Sequence, residues 1–246
     1  MFTYPMCKDF KKFLGILEHF NPLYNGGVNT KDFWEEWWTK TNDNGWDDTP
    51  SIFAQFAISY FPKEGKLLEL GAGLGKDTRY FAQHGLFVVS TDFSNKALDV
   101  SKWESTMQKI MNIEYQNVDI KNSLPFQDGE FDVIYAHAVL HYFSHETTDQ
   151  IFREIHRVLK DGGVFATLLK SEEDPEVLKS LKLHENFYQT PQGIVERFFS
   201  VNEVQNETEG LFKPVVMDAS EQIHEIENAT FIRYIGLKIP QGNQTH

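Results

Sequence analysis

The feature that most constrains this chain is a glycine-rich turn at Leu67–Asp77, which reads Leu-Leu-Glu-Leu-Gly-Ala-Gly-Leu-Gly-Lys-Asp. An apolar run leads into Gly71, Gly73 and Gly75, and a helical pattern follows them. Glycine lets the backbone turn sharply and approach a ligand closely, and free amides at a helix start favour polar or anionic groups. The segment predicts a strand, a tight turn and a helix. Either a ligand or plain strand-to-helix packing explains the glycines.

Beyond this turn, residues 65–239 alternate short apolar runs with longer amphipathic stretches, which is typical of βα units on a parallel sheet. The predicted strands are Lys66–Leu70, Leu86–Thr91, Ile113–Val118, Phe131–Ala136 and Val164–Leu169. The predicted helices are Lys76–His84, Ser94–Ile110, Val201–Glu209 and one with an apolar stripe from Ile151 to Leu159 that ends at Asp161-Gly162-Gly163. Leu211–Ala219 and Ala229–Ile239 predict a hairpin. The fold class is therefore α/β, with a mostly parallel sheet that finishes with an antiparallel strand.

Charge and cysteine content disfavour several classes of protein. The 246 residues include 36 Asp and Glu against 23 Lys and Arg, which gives a formal net charge of −13. This excess of acid disfavours binding to nucleic acid and to anionic membranes, because both need clustered Lys and Arg. The single Cys7 excludes an intrachain disulfide and a cysteine-based zinc cluster. Met1–Asp9 lacks the apolar run of a signal peptide, and no stretch approaches the ~18 apolar residues of a membrane span. A cytoplasmic protein is expected.

Acidic residues close the two strands that follow the turn. Asp92 ends the second strand, where a carboxylate can accept two hydrogen bonds from a ribose diol; the alternative is an N-cap for the helix from Ser94. Asp119 ends the third strand and can accept from an adenine amine while Ile120 packs on the base; the alternative is a solvated loop acid. Open α/β sheets bind ligands at the carboxyl ends of their strands, so the three features predict one site. The glycine spacing matches neither the dinucleotide pattern nor a P-loop.

From about Lys66 to Leu169 the sequence resembles the class I S-adenosylmethionine (SAM)-dependent methyltransferases. The resemblance rests on the ordered set of the glycine turn, Asp92, Asp119 and two further segments, which are Pro125–Ile134 (Pro-Phe-Gln-Asp-Gly-Glu-Phe-Asp-Val-Ile) and His156–Gly163 (His-Arg-Val-Leu-Lys-Asp-Gly-Gly). It implies a seven-stranded, doubly wound Rossmann-like sheet whose last strand is antiparallel. Residues 1–62 differ from the rest of the chain by their many large aromatic side chains, so we expect one compact unit with an aromatic-rich helical cap over residues 1–62 and a SAM-binding domain over residues 63–246.

The same resemblance implies the cofactor contacts. The turn, with Glu69, Gly71, Ala72 and Gly73, would hold the methionine part of SAM. Asp92, with Phe93 beside it, would bind the ribose, and Asp119 with Ile120 the adenine. His137, just past the fourth strand, would also touch the cofactor.

Methyl transfer from a sulfonium mainly needs a nucleophile held in line and water excluded, and a base helps only when the nucleophile is protonated. His137, His141 and His145 are spaced four apart, so on a continuous helix they could form a metal site. The segment begins as a strand, however, and no metal is predicted. Related small-molecule methyltransferases commonly carry histidine at the position of His141, which makes it the catalytic base candidate. The Asn/Asp-Pro-Pro-aromatic motif of enzymes that methylate nucleic-acid bases is missing after this strand.

Two variable regions lie outside the resemblance. Trp34 and Trp38 share a helical face and Trp46 follows, which looks loosely like the N-terminal segment of thiopurine and tellurite methyltransferases. On that basis Trp38 and Trp46 are predicted cofactor contacts in a lid, since aromatic faces attract a sulfonium; the alternative is an accessory packing layer. Residues His184–Phe199 are either an insert that shapes the acceptor pocket or an ordinary surface connection.

The resulting hypothesis is an enzyme that moves a methyl group from SAM to a small organic acceptor and leaves S-adenosylhomocysteine. A protein or RNA methyltransferase and a non-catalytic SAM-binding module remain as alternatives. A nicotinamide dehydrogenase is disfavoured by the glycine spacing. The acceptor atom and the oligomeric state are left open, because one fold supports many acceptors.

Overall fold

The computed structural model describes residues 33–35, 48–191, 193–221 and 229–240. Five helices are defined, α1 Ile52–Ala57, α2 Lys76–Gln83, α3 Asn95–Met107, α4 His145–Val158 and α5 Val201–Thr208. Ten strands are defined, β1 Gly65–Leu70, β2 Leu86–Asp92, β3 Ile113–Asn117, β4 Phe131–His137, β5 Leu159–Lys170, β6 Leu181–His184, β7 Phe187–Gln189, β8 Val195–Arg197, β9 Phe212–Glu221 and β10 Thr230–Lys238. Short 3-10 turns lie at Ile58–Tyr60, Leu140–Tyr142 and Pro175–Lys179. In these ranges no helix is long and apolar enough to cross a membrane.

Seven strands form the main sheet, in the order β3-β2-β1-β4-β5-β10-β9. Strands β1 to β5 are parallel, whereas β10 runs antiparallel to both β5 and β9. The predicted parallel sheet with a terminal hairpin and an antiparallel last strand is confirmed. Strand order reverses between β1 and β4, and this switch point is where open α/β sheets leave a crevice for a ligand.

The two faces of the sheet bury separate apolar clusters, because successive side chains of a strand point to opposite sides. Leu68 and Leu70 of β1 pack with Phe152 of α4 on one face. Leu67 packs with Phe53 of α1 and Phe81 of α2 on the other face. Helices therefore cover both faces, as in a doubly wound fold.

One predicted boundary is wrong. Helix α4 ends at Val158, not at Asp161-Gly162-Gly163, and β5 begins at Leu159. Leu159 pairs with Phe131 of β4, and an irregularity separates this pair from the next one, Val133 with Val164. The left-handed φ of +72° at Gly162 lies inside this irregularity. The glycines therefore serve a break in strand pairing and not a helix stop.

Residues 181–197, which the sequence pattern left without regular structure, form a separate three-stranded antiparallel sheet in the order β6-β7-β8. Of the predicted N-terminal cap, residues 33–35 are helical and α1 follows at Ile52. Trp38 and Trp46 lie outside the described residues.

Candidate functional site

Strand register brings the predicted site residues to one edge of the sheet. Leu70 of β1 lies beside Thr91 of β2, so Gly71 and Asp92 follow at the same level. Asp92 lies beside Asn117 at the end of β3. On the other side of β1, strand β4 ends at His137. The glycine turn, Asp92, the residues after β3 and His137 therefore surround the switch point.

The turn uses glycine for two reasons that the structure makes explicit. Gly71, Gly73 and Gly75 have φ values of +69°, +52° and +72°, a region that residues with a Cβ enter at a cost. A Cβ on Gly71 would lie 2.4 Å from Cγ2 of Val139, and one on Gly75 would lie 1.8 Å from Oγ of Ser101. Packing against Val139 and Ser101 therefore requires glycine at these two positions, and the ligand explanation stays a prediction.

Three backbone amides of the turn are already used inside the protein. Ala72 donates to the Thr91 carbonyl at 2.8 Å and Gly75 donates to the Ala72 carbonyl at 2.9 Å. Gly73 donates to Oδ2 of Asp92 at 2.9 Å. The expectation that free amides here favour an anion is therefore wrong for these three positions, because each N–H group has an internal acceptor. The turn does not have the amide cradle that a dinucleotide pyrophosphate uses at these positions.

Asp92 is held rigidly at the end of β2. It is 5% exposed, and its two carboxylate oxygens accept from the amides of Gly73 and Ser94, each at 2.9 Å. Burial raises the pKa of Asp92 above its ordinary value, the Ser94 and Gly73 amides oppose that rise, and the nearby Glu35 carboxylate adds to it. Ser94, not Asp92, is the N-cap of α3, so the N-cap alternative for Asp92 is wrong. The Phe93 amide also donates to this carboxylate, so backbone amides from both sides of the strand end fix its orientation.

Glu69 is buried below the turn. Its carboxylate accepts from the hydroxyl of Thr78 in α2, and that hydroxyl lies 3.0 Å from Oγ of Ser90 in β2. Burial, and then the nearby Asp77, raise the pKa of Glu69 well above its usual range. Glu69 thus joins β1, α2 and β2 in one polar contact beneath the predicted cofactor turn.

The residues after β3 lie at the far side of the same edge. Oδ1 of Asp119 accepts from the Lys121 amide at 3.2 Å, which orients the partly buried carboxylate. Ile120 is buried in the apolar cluster with Leu124. The Phe93 carbonyl accepts from Nδ2 of Asn117 at 2.7 Å and links the ends of β2 and β3.

The chain leaves β4 through an unusual backbone conformation. Ala138 has φ +54°, and its amide donates to the Leu168 carbonyl at 3.1 Å. A left-handed non-glycine residue stores strain, which is commonest at functional sites. The His137 ring stacks on Tyr135, with centroids 6.3 Å apart. The turn places Val139 against Gly71.

The three histidines do not share a helix face. His137 ends β4, His141 lies in the 3-10 turn after it, and His145 begins α4. His141 is 1% exposed, and its ring lies 4.4 Å from that of Tyr142. Across the described ranges no three His, Cys, Asp or Glu side chains group in a way that could hold a metal ion.

Comparison with known proteins agrees with this geometry. A family model described as a methyltransferase domain matches residues 68–167. Residues 68–167 are therefore similar to a methyltransferase domain. The matched residues of this methyltransferase domain run from β1 into β5 and include the glycine turn, Asp92, Asp119 and His137.

Two curated relatives match part of the chain. An uncharacterized methyltransferase of Synechocystis sp. is 37% identical over 101 residues, which are 41% of this chain and 45% of the relative. A sarcosine/dimethylglycine N-methyltransferase of Aphanothece halophytica is 31% identical over 129 residues, which are 48% and 43% of the two proteins. The chain thus spans about half the length of the curated relatives it matches.

Two solved structures show the fold over a larger share. A SAM-dependent methyltransferase of Methanosarcina mazei superposes with TM-score 0.66 at 18% identity and covers 76% of this chain and 98% of that one. A Burkholderia thailandensis 1,6-didemethyltoxoflavin-N1-methyltransferase, with 1,6-didemethyltoxoflavin and S-adenosylhomocysteine bound, superposes with TM-score 0.64 at 16% identity. It covers 97% of this chain and 94% of that one.

The N-terminal residues that are described lie against the methyltransferase domain at the same edge. The Trp34 ring lies 6.0 Å from the Tyr142 ring at 75°, and the Glu35 carboxylate is close enough to act on the pKa of Asp92. Both Tyr142 and Asp92 belong to the carboxyl ends of the central strands. Part of the aromatic segment therefore lies beside the candidate site of the methyltransferase domain.

A buried ionic cluster of the methyltransferase fold was missed by sequence reasoning. Nζ of Lys170, the last residue of β5, donates to Oε2 of Glu176 at 2.6 Å and also to Glu196 of β8. The Tyr142 hydroxyl donates to Glu196, and burial together with Glu196 raises the pKa of Tyr142 well above its usual range. Lys170 and Glu196 are 26 residues apart, and no sequence motif predicts that they form an ion pair.

A cavity of about 590 Å³ lies elsewhere. It is lined by residues of β1, β2 and β3 and of the segment 123–130, and it includes none of the predicted site residues. The volume alone does not connect it to the methyltransferase site.

Proposed function

We propose that this chain is an enzyme that transfers a methyl group from SAM to a small organic acceptor by in-line displacement. The observation that carries the proposal is the Asp92 carboxylate, fixed by the amides of Gly73 and Ser94 at the switch point of the sheet. A buried carboxylate of fixed orientation suits a vicinal diol, because its two oxygens can accept from two ribose hydroxyls side by side. The cofactor is SAM.

The residues present fit SAM better than a dinucleotide. SAM has a ribose and an adenine but no phosphate. The amides of Ala72, Gly73 and Gly75 are bonded within the protein, so these three N–H groups are not available for a pyrophosphate, which helix-start amides would otherwise bind. Gly71 and Gly73 carry no side chain, so a ligand without phosphate could approach the backbone of the turn closely at these positions.

The roles of the site residues follow from the order of the strands. Gly71, Ala72 and Gly73 would border the methionine part at the end of β1. Asp92 and Phe93 would hold the ribose at β2, and Asp119 with Ile120 would hold the adenine beyond β3. Such a ligand runs from β3 towards β1, so its reactive end faces β4. His137 then lies beside it, and Trp38 and Trp46 are proposed to cover it.

The acceptor would lie beyond the reactive end, at the ends of β4 and β5. SAM supplies a methyl group already activated by positive sulfur. The chain's own residues must hold the acceptor in line and exclude water. His141, which is buried here, is proposed to take a proton from a protonated nucleophile. Trp34 and Tyr142 add an aromatic wall to this region.

A small acceptor is favoured over a macromolecule on two grounds. The net charge of −13 opposes an approach to nucleic acid. The Burkholderia neighbour, which aligns over nearly the whole chain, has 1,6-didemethyltoxoflavin bound, and the Aphanothece relative is a sarcosine/dimethylglycine N-methyltransferase. Methylation of a protein or RNA and SAM binding without catalysis are the competing possibilities.

The first test is calorimetric titration of the purified protein with S-adenosylhomocysteine, with NAD titrated in parallel. Micromolar or tighter binding of S-adenosylhomocysteine alone is expected. Asp92→Ala should weaken it on the order of 100-fold or more, because two charge-assisted hydrogen bonds are lost. Asp149→Asn, on an exposed ion pair with Arg153, is the control. Unchanged affinity in Asp92→Ala would overturn the ribose assignment.

The acceptor class needs a second test. Labelled SAM is incubated with the enzyme and with separate small-molecule, RNA and protein fractions of a cell extract. Label in the small-molecule fraction alone is the expected outcome. Label in RNA or protein would replace the small-acceptor proposal, and cofactor binding without label in any fraction would favour the non-catalytic alternative.

A further inference from the structure

Arg79 of α2 connects the glycine turn to the chain that precedes α1. Its Nη1 donates to the Leu74 carbonyl inside the turn at 2.8 Å. Its Nε donates to Oδ1 of Asp48 at 3.0 Å, and Nη2 donates to the same carboxylate. The Arg79 side chain is 4% exposed, whereas that of Asp48 is 43% exposed. A buried cation thus bridges two segments that are distant in sequence.

The Leu74 carbonyl, which accepts from Arg79, belongs to the central peptide of the glycine turn. Leu74 lies between Gly73 and Gly75, both of which have left-handed φ values. A Cβ on Gly75 would lie 3.3 Å from Nη1 of Arg79, so the guanidinium also packs on the turn. Because the planar guanidinium fork holds its partners in set directions, movement of its carboxylate partner is transmitted to the Leu74 peptide.

A second set of hydrogen bonds holds residues 48–51 to α2, and it includes no atom of the glycine turn. The amide and the hydroxyl of Ser51 each donate to Asp77 of α2 at 2.7 Å. The Tyr135 hydroxyl of β4 donates to Asp77 at 2.8 Å. Residues 48–51 are therefore fixed to α2 at two points, and the Arg79 bridge is the one that includes a turn carbonyl.

We infer that Arg79 is a positioning residue for the cofactor, which couples the seating of residues 48–51 to the shape of the glycine turn. The inference rests on the proposed function, because it assumes that the turn borders the cofactor. When Asp48 no longer accepts from Arg79, the guanidinium can move and the Leu74 peptide can rotate. Cofactor binding is then weaker. By linkage, cofactor binding tightens the attachment of residues 48–51.

The test is calorimetric titration of the full chain with S-adenosylhomocysteine in four variants. Arg79→Lys should bind about tenfold more weakly, because lysine cannot span both partners. Asp48→Asn should bind about threefold more weakly, although its half-exposed side chain lies outside the turn. The double variant should bind no more weakly than Arg79→Lys, since both changes break one bridge. Asp149→Asn should bind like the unmodified chain.

Thermal unfolding separates positioning from a purely structural role. A structural role would lower the melting temperature of Arg79→Lys and Asp48→Asn without changing affinity, and that result would overturn the inference. The inference would also be overturned if the losses of binding free energy in the two single variants added in the double variant. If Arg79→Lys does not fold, Asp48→Asn decides the question. If the unmodified chain does not bind S-adenosylhomocysteine, the proposed function fails and the inference falls with it; if it binds and Asp48→Asn binds equally well, the inference alone fails.

Discussion

Val139 occupies the space that a side chain on Gly71 would need, since a Cβ there would lie 2.4 Å from Val139 Cγ2. Val139, the second residue after the end of β4, thus packs directly on the predicted cofactor turn at the end of β1. Gly71→Ala should therefore destabilise the protein by about 2–4 kcal/mol, through overpacking and a left-handed φ. Denaturant unfolding measures the loss.

A double variant separates the two causes. Gly71→Ala combined with Val139→Ala should recover part of the lost stability, because the smaller side chain removes the overlap and leaves only the cost of the φ angle. If the double variant is no more stable than Gly71→Ala, the contact with Val139 is not what requires glycine at this position.

Glu69→Gln should raise stability at alkaline pH. The pKa of Glu69 in the folded protein is well above that of the unfolded chain, mainly because of burial. Between the two pKa values the folded state binds more protons at Glu69, so the contribution of Glu69 to stability is fully present below about pH 4.5 and is lost as the pH rises. Glutamine keeps an acceptor for Thr78 without the ionisation. The variant should be more stable than the unmodified chain by on the order of 1 kcal/mol at pH 8.

The measurement is the free energy of unfolding of both proteins from pH 5 to pH 8. The gap between the two curves should grow as the pH increases. Parallel curves would mean that Glu69 does not change its ionisation on folding.

Tyr142→Phe tests the acceptor side of the site. The change removes the hydroxyl that donates to Glu196 and leaves the ring that packs on Trp34. Once an acceptor is identified, kcat/KM for that acceptor should fall about tenfold, because the buried Glu196 carboxylate loses a hydrogen-bond donor. S-adenosylhomocysteine affinity, measured by calorimetry, should be unchanged. Equal loss of both quantities would place Tyr142 at the cofactor.

His141→Asn tests the proposed base. Removal of a general base should lower kcat by about 10²-fold, with S-adenosylhomocysteine affinity preserved. The pH–rate profile of the unmodified enzyme should show an acidic limb that is missing in the variant. If His141→Asn keeps the full kcat, methyl transfer proceeds without a base at this position.

Much of the fold follows from local sequence pattern. The strands before and after Gly71–Gly75, the helix Lys76–Gln83 and the terminal hairpin were predictable, because apolar periodicity and glycine placement act within a few residues. Asp92 and Asp119 could be placed at strand ends for the same reason. The predicted helix end at Asp161-Gly162-Gly163 is wrong, because a glycine pair can occur at a break in strand pairing as readily as at a helix end.

The order of the elements and the residue types at the carboxyl edge of the sheet follow from the amino-acid pattern. The contacts of those residues depend on how the elements pack. In the folded chain Ser94 caps α3, three turn amides are bonded internally, and Arg79 joins Asp48 to Leu74. Hydrogen bonds between residues tens of positions apart depend on the packing of whole strands and helices, which no local period encodes.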